Sequence, residues 1–215
     1  MIRKLNRIFQ DYMREKRLKI GKAIWDKKEK TNIIKGDNFI EDNNIKSILF
    51  LRYDGKIGDM IVNSLMFREI KKVYPDIKIG LVARGAAIDI VKDNPNVDEI
   101  YEYHKDRKKI KELALKIKEE KYDLLIDFSE MLRVNQMMLI NLCGARFNLG
   151  LDRNNWSLFD LSVESDKDFK WSEHITKRYL AYLLKLGLKS EEINLSYDIY
   201  IKENSKYTEF LNKIK

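Results

Sequence analysis

Between residues 47 and 150, short apolar runs alternate with amphipathic stretches. Ser47–Tyr53 (SILFLRY) is a compact apolar run with polar borders, the pattern of a parallel strand buried on both faces. The segment Asp54-Gly55-Lys56-Ile57-Gly58-Asp59 then turns the chain. Apolar residues at 61, 62, 65, 66, 70 and 73 predict a helix over Met60–Val73. Pro75 closes it, because proline disfavours helix in the residue before it. Ile77–Ala83 and Val97–Tyr103 read as strands, with a short helix over Ala86–Lys92 between them. Arg107–Glu120 predicts a charged helix and Tyr122–Phe128 a fourth strand. Glu130–Cys143 predicts a helix with a Met-rich apolar face, ended by Gly144. Arg146–Gly150 is the fifth strand. Tyr122, Met131, Met137, Met138 and Cys143 are assigned to the core.

This strand–helix alternation predicts an α/β fold: a Rossmann-like parallel sheet with helices on both faces. Beyond it the pattern loosens. Residues 151–171 read as a long loop and Glu173–Leu186 as a helix stopped by Gly187. Asn194–Ile201 reads as a strand, and Ser205–Lys215 as the opening of another helix. Ahead of the first strand, Ile2, Leu5, Phe9, Tyr12 and Met13 recur at helical spacing. Arg3, Lys4, Arg7, Arg14 and Arg17 form the wet side. Residues 27–46 are polar and rich in Asn and Asp, as in a linker. The expected division is an arm and linker over 1–45, a Rossmann-like domain over 46–202, and the start of a further linker or domain over 203–215.

Charge sharpens the picture of the arm. The chain of 215 residues carries a formal net charge of +8. Residues 1–30 hold eleven Lys/Arg against four Asp/Glu, so the body is nearly neutral. Three partners suit a basic amphipathic helix: an anionic membrane surface, nucleic-acid phosphates, or the protein's own body. The neutral body argues against a dedicated nucleic-acid binder. Hydrophobic residues at 44% and charged residues at 35% exclude wholesale disorder. One cysteine excludes an internal disulfide framework, and His104 and His174 match no zinc signature. No apolar run approaches the roughly 18 residues of a membrane span, and the N-terminal residues lack a secretory apolar region. The expected location is cytoplasmic, peripheral on the inner membrane face if the arm engages lipid.

Doubly wound sheets bind ligands beyond the carboxyl ends of their strands. The 54–59 turn lies there, although its spacing is neither GxGxxG nor GxxxxGK[ST]. Its glycines, Gly55 and Gly58, allow close ligand approach. Asp59, just before the predicted helix, has two readings. One is an N-cap. The other is a carboxylate general base at the mouth of a site, its anionic form favoured by the helix dipole. Arg52, Lys56, Arg84 and Arg133 are the cations placed to contact an acidic acceptor. Asp127 or Ser129 reads as a helix cap, and His174 as a structural histidine.

The opening ILFLRYDGKIGDMIVNSLMFREIKKVYPDIKIGLVA resembles the heptosyltransferase-like glycosyltransferases of family 9. NPNVDEIY (94–101), KYDLLIDFSEMLR (121–133), GARFNLGLD (144–152) and EHITKRYLAYLLKLGL (173–188) follow in the family's order. The resemblance covers roughly 46–200. It implies the N-terminal half of a GT-B glycosyltransferase, with the acceptor on this side and a nucleotide-sugar donor, commonly ADP-heptose, on a second domain. It implies inverting, metal-independent transfer without a cofactor, onto a glycolipid or lipopolysaccharide-core acceptor, with Asp59 as the base. This chain has Asn63-Ser64-Leu65 where the family often has Thr-Thr-Pro. Transfer by the chain alone is expected to be inefficient without a donor domain. The alternative is a non-catalytic Rossmann-like binding module held at a membrane or partner by the basic arm.

Overall fold

The computed structural model describes residues 2–34 and 36–200. The predicted helix over 205–215, the final residue of the predicted strand 194–201, and the 203–215 segment lie outside the described residues.

The chain begins with helix α1 (Ile2–Trp25), so the arm's helix continues through its second half. A four-residue helix α2 (Phe39–Asp42) interrupts the segment read as a linker. It is too short to show a period. Asn38 caps it and Phe39 and Ile40 are buried beneath it. Strand β1 (Ser47–Arg52), helix α3 (Ile57–Val73), β2 (Lys78–Ala83) and α4 (Ala86–Val91) follow. Then come β3 (Glu99–Glu102), α5 (Arg107–Glu119) and β4 (Leu124–Asp127). Next are α6 (Val134–Cys143), β5 (Phe147–Leu151), β6 (Leu161–Val163) and α7 (Ile175–Lys185).

The six strands form one sheet in the order β3-β2-β1-β4-β5-β6, and every pair is parallel. The order reverses between β1 and β4, which opens a crevice at their carboxyl ends. Alternation along β1 builds two cores. Ile48 and Phe50 face a core shared with α2, α3, α4 and α7. Leu49 and Leu51 face a core shared with α5 and α6, onto which Leu18 and Trp25 of α1 pack. Each fully buried Leu, Ile or Phe contributes roughly 1.5–3 kcal/mol, so both helical layers are held by burial rather than by local propensity. No described helix is long and apolar enough to cross a membrane.

Several expectations change. The stretch 151–171 contains β6, which a three-residue LSV run does not announce. Helix α6 begins at Val134, not Glu130, with Arg133 as its cap residue and Gln136 closing the box. Neither Asp127 nor Ser129 caps it. Met131 is exposed, outside the core, because it sits in the loop before α6. Residues 194–200 form no strand, although their alternation predicted one. Their backbone is held by side chains instead: Arg68 Nη2 donates to the carbonyls of Asn194 and Ser196 at 2.7 and 2.8 Å. Asp198 N–H donates to Ser64 Oγ at 3.0 Å.

Candidate functional site

A cleft of about 810 Å³ opens at the carboxyl ends of β1, β2 and β4. Four segments build it, the β1–α3 turn, the residues after β2, the residues after β3 and the β4–α6 loop, with α7 closing one side. The β1–α3 turn needs Gly55, whose φ of +76° is closed to most side chains. Gly85, at φ +57°, makes the corresponding turn after β2.

Arg52 ends β1 and is only 8% exposed. Its Nη2 donates to the Tyr179 hydroxyl. Its guanidinium lies over the rings of Phe128 and Tyr179, at 5.3 and 5.9 Å from their centroids. It also faces two carboxylates, Asp54 at 3.8 Å and Asp59 at 3.6 Å. Lys56 Nζ reaches the same Asp59 oxygen at 3.7 Å. Asp59 is therefore oriented by two cations while its side chain stays 34% exposed to the cleft. It does not cap α3. That helix starts at Ile57 rather than at the predicted Met60, with Lys56 in the cap position and no side-chain cap bond. Asp59 lies in the first turn, at the positive end of the helix dipole.

The structure brings Arg52, Lys56, Asp59, Arg84 and Arg133 into this one cleft. Gly58 is not in its lining. It sits exposed on α3, and a methyl group there would meet nothing within 4 Å. Asn63, Ser64 and Leu65 are buried within α3, away from the lining. His174 caps α7, its Nδ1 accepting from Thr176 N–H, as a structural histidine does.

Sequence reasoning missed Lys105 and Arg178, which also line the cleft. Arg178 stood within the EHITKR stretch quoted for the resemblance. It stacks on Trp171 at 4.2 Å and pairs with Glu130 at 3.0 Å. The lining thus carries six cations, Arg52, Lys56, Arg84, Lys105, Arg133 and Arg178, against Asp54, Asp59 and Glu130. Among the described residues, no ion pair neutralises Arg84, Lys105 or Arg133. Burial raises the Tyr103 phenol, and the charges of Arg84 and Arg133 oppose that rise, so both cations act on one spot of the wall. A cleft of this charge attracts an anionic ligand.

Beneath the cleft, Asp127 is fully buried at the end of β4. Its carboxyl accepts from Tyr53 Oη at 2.5 Å and from Ser129 Oγ at 2.5 and 2.7 Å. Desolvation raises its pKa, partly offset by those hydrogen bonds and by Arg153. A carboxyl whose folded-state pKa is raised binds its proton more tightly in the native state. Its contribution to stability is complete below the ordinary value of 3.8 and declines as pH rises toward the folded value. Asp127→Asn is expected to flatten that decline, read from urea midpoints across acid to neutral pH. An unchanged slope would show that the group is not the source.

A second recess, of about 460 Å³, lies at the other edge of the sheet, lined by Lys28 and Arg146. Two of its lining cations are paired, Lys28 with Asp160 at 2.6 Å and Arg146 with Asp123 at 3.4 Å.

Architecture and cleft together define a doubly wound α/β domain with a cation-rich cleft where its strand order reverses. No protein-family model matches the chain. Three solved structures share its fold. A glycosyl transferase family 9 protein from Veillonella parvula DSM 2008 matches with a TM-score of 0.66 at 19% identity, over 79% of this chain and 50% of that one. The E. coli ADP-heptose LPS heptosyltransferase II matches with a TM-score of 0.51 at 15% identity, over 79% and 50%. The E. coli heptosyltransferase WaaC, solved with ADP, matches with a TM-score of 0.53 at 14% identity, over 71% and 50%. In sequence, lipopolysaccharide heptosyltransferase 3 of Escherichia coli is 28% identical over 102 residues, 44% of this chain and 29% of that protein. The chain shares the fold of these glycosyltransferase family 9 and heptosyltransferase structures. It spans half the length of these solved relatives and less than a third of the curated one.

Proposed function

We propose that this chain is the acceptor-binding part of a heptosyltransferase-like glycosyltransferase, with Asp59 as the general base. The observation that carries this reading is the partly exposed Asp59 carboxylate, held between Arg52 and Lys56 in a cation-rich cleft. The shared fold supports glycosyl transfer as the chemistry. The proposed acceptor is a lipopolysaccharide-core or related glycolipid bearing phosphate or carboxylate groups. Arg84, Lys105 and Arg133 would receive those groups through charge-assisted hydrogen bonds. The donor is a nucleotide sugar, ADP-heptose by analogy with the named relatives, bound by a second domain.

In the proposed step, one Asp59 oxygen takes the proton of the acceptor hydroxyl as that oxygen bonds to the anomeric carbon. The bond from that carbon to the nucleotide diphosphate breaks on the opposite side, inverting the centre, and the diphosphate leaves with the electron pair. Arg52 keeps the carboxylate aimed, because its own position is fixed by Tyr179 and Phe128.

The test of acceptor binding is calorimetric titration of the chain with phosphorylated and dephosphorylated lipopolysaccharide-core oligosaccharide. Arg84→Ala with Arg133→Ala is expected to weaken binding of the phosphorylated form at least about tenfold, the effect of losing one hydrogen bond to a charged group. Equal affinity of the variant and the parent, or no preference for the phosphorylated form, would refute the assignment.

A further inference from the structure

Helix α1 has two opposite apolar faces, and only one is used by the body. Gly21 packs against Val134, the first residue of α6, so closely that a methyl group there would lie 2.6 Å from it. Leu18 and Trp25 join the adjacent core. Lys22 lies over the Trp156 ring at 4.1 Å, and Asn141 Nδ2 donates to the Trp25 carbonyl at 3.1 Å. These contacts anchor the second half of the helix. At about 100° per residue, Phe9, Met13, Ile20 and Ile24 fall on the opposite side. Phe9 is 63% and Ile20 61% exposed, and Tyr12 and Ile24 are exposed beside them. Arg17 and Lys19 flank this outward stripe, and Lys16 lies within it.

The direction of the helix matters as much as its face. Gly21 meets the start of α6 and Trp25 meets Asn141 near its end, so the two helices run the same way. Helix α6 begins at the carboxyl edge of the sheet, and Val134 itself lines the cleft. The first half of α1 therefore projects past that edge, by up to about 24 Å at 1.5 Å per residue. Among the described residues, the ion pairs over 6–20 lie within the helix, Arg14 with Asp11 and Lys19 with Glu15.

We propose that the outward face of α1 docks on an anionic lipid bilayer, at the edge of the domain where the cleft opens. Charge selects this occupant. Residues 1–30 carry eleven Lys/Arg against four Asp/Glu, so a second copy of the helix would be repelled while an anionic headgroup layer is attracted. Each cation near such a surface adds about fivefold to partitioning, and the apolar stripe inserts between headgroups. The cleft then faces the layer in which a glycolipid is embedded. The docking itself is independent of the glycosyl-transfer reading, since it uses no residue of the cleft.

The test is sedimentation of the chain with vesicles of phosphatidylcholine alone and of phosphatidylcholine with phosphatidylglycerol, neither containing a glycolipid acceptor. Binding is expected only to the anionic vesicles, weakening as salt rises. The triple variant F9S/I20S/I24S should bind at least about tenfold less. The charge variant K16E/R17E/K19E should lose binding as well, while both keep the parent's circular dichroism. Absence of vesicle binding, equal binding to neutral vesicles, or unaltered binding of either variant would overturn the proposal. So would a dimer in light scattering that F9S/I20S/I24S converts to a monomer without any vesicle binding, since the stripe's occupant would then be a second copy. Failure here would leave the calorimetric result with core oligosaccharide unaffected.

Discussion

Asp59→Asn is expected to lower the turnover of glycosyl transfer by about 10²–10⁴-fold, the usual worth of a positioned general base. The replacement keeps the shape of the side chain and removes its capacity to take a proton. It also leaves Arg52 and Lys56 beside a neutral amide instead of a carboxylate. Asp54 makes the informative control, because it lies 3.8 Å from the same guanidinium but belongs to the turn rather than to α3. Asp54→Asn should change turnover far less. The assay is steady-state transfer from a nucleotide sugar by a polypeptide carrying both acceptor and donor halves. The loss should fall on kcat more than on KM, because proton removal belongs to the transition state. Unchanged turnover in Asp59→Asn would remove the base assignment while leaving the cleft as a binding site.

Phe128→Ala is expected to destabilise the domain by about 3–5 kcal/mol, the range for removing a fully packed phenylalanine. The ring is 3% exposed and lies against Phe50, Tyr179 and Tyr182, with centroids at 6.0, 5.4 and 5.0 Å. It joins β1, β4 and α7 at the point where the sheet gives way to the cleft. It also underlies the Arg52 guanidinium at 5.3 Å, so its loss should loosen the cation that orients Asp59. Denaturant midpoints would show the stability change. Phe128→Leu, which keeps much of the volume but not the aromatic face, separates the two roles. It should cost less stability and still weaken acceptor binding. A loss below about 1 kcal/mol for the alanine variant would mean that the site collapses around the gap, outside the expected range.

The sheet was readable from the sequence because its central strands are buried on both faces and carry unbroken apolar runs, ILFL in β1 and LLI in β4. SILFLRY and YDLLIDF announce themselves in this way. So does the crevice, because a parallel order with a reversal fixes where the loops converge. The readings that failed share a different physics. Helix α2 and strand β6 are four and three residues long, too short for a helical or strand period to repeat twice. Residues 194–200 alternate as a strand does. Their carbonyls nonetheless go to Arg68, a side chain remote in sequence, so no sheet neighbour is needed. The start of α3 differs because Ile57 and Gly58 are exposed and lie in a Gly- and Asp-rich segment that reads as a turn. The predicted placement is what made an N-cap one of the two readings of Asp59. Arg178 and Lys105 escaped because their link to the cleft is purely tertiary. Arg178 reaches it from α7 by stacking on Trp171.

The account stands on the cleft at the ends of β1, β2 and β4 being the acceptor site. Backbone amide shifts of the chain, followed by nuclear magnetic resonance while phosphorylated lipopolysaccharide-core oligosaccharide is added, test this most directly. The predicted result is a set of saturable shifts confined to 52–59, 84–86, 103–105, 129–136 and the start of α7. Shifts centred instead on the recess around Lys28 and Arg146, or none at any concentration, would contradict it.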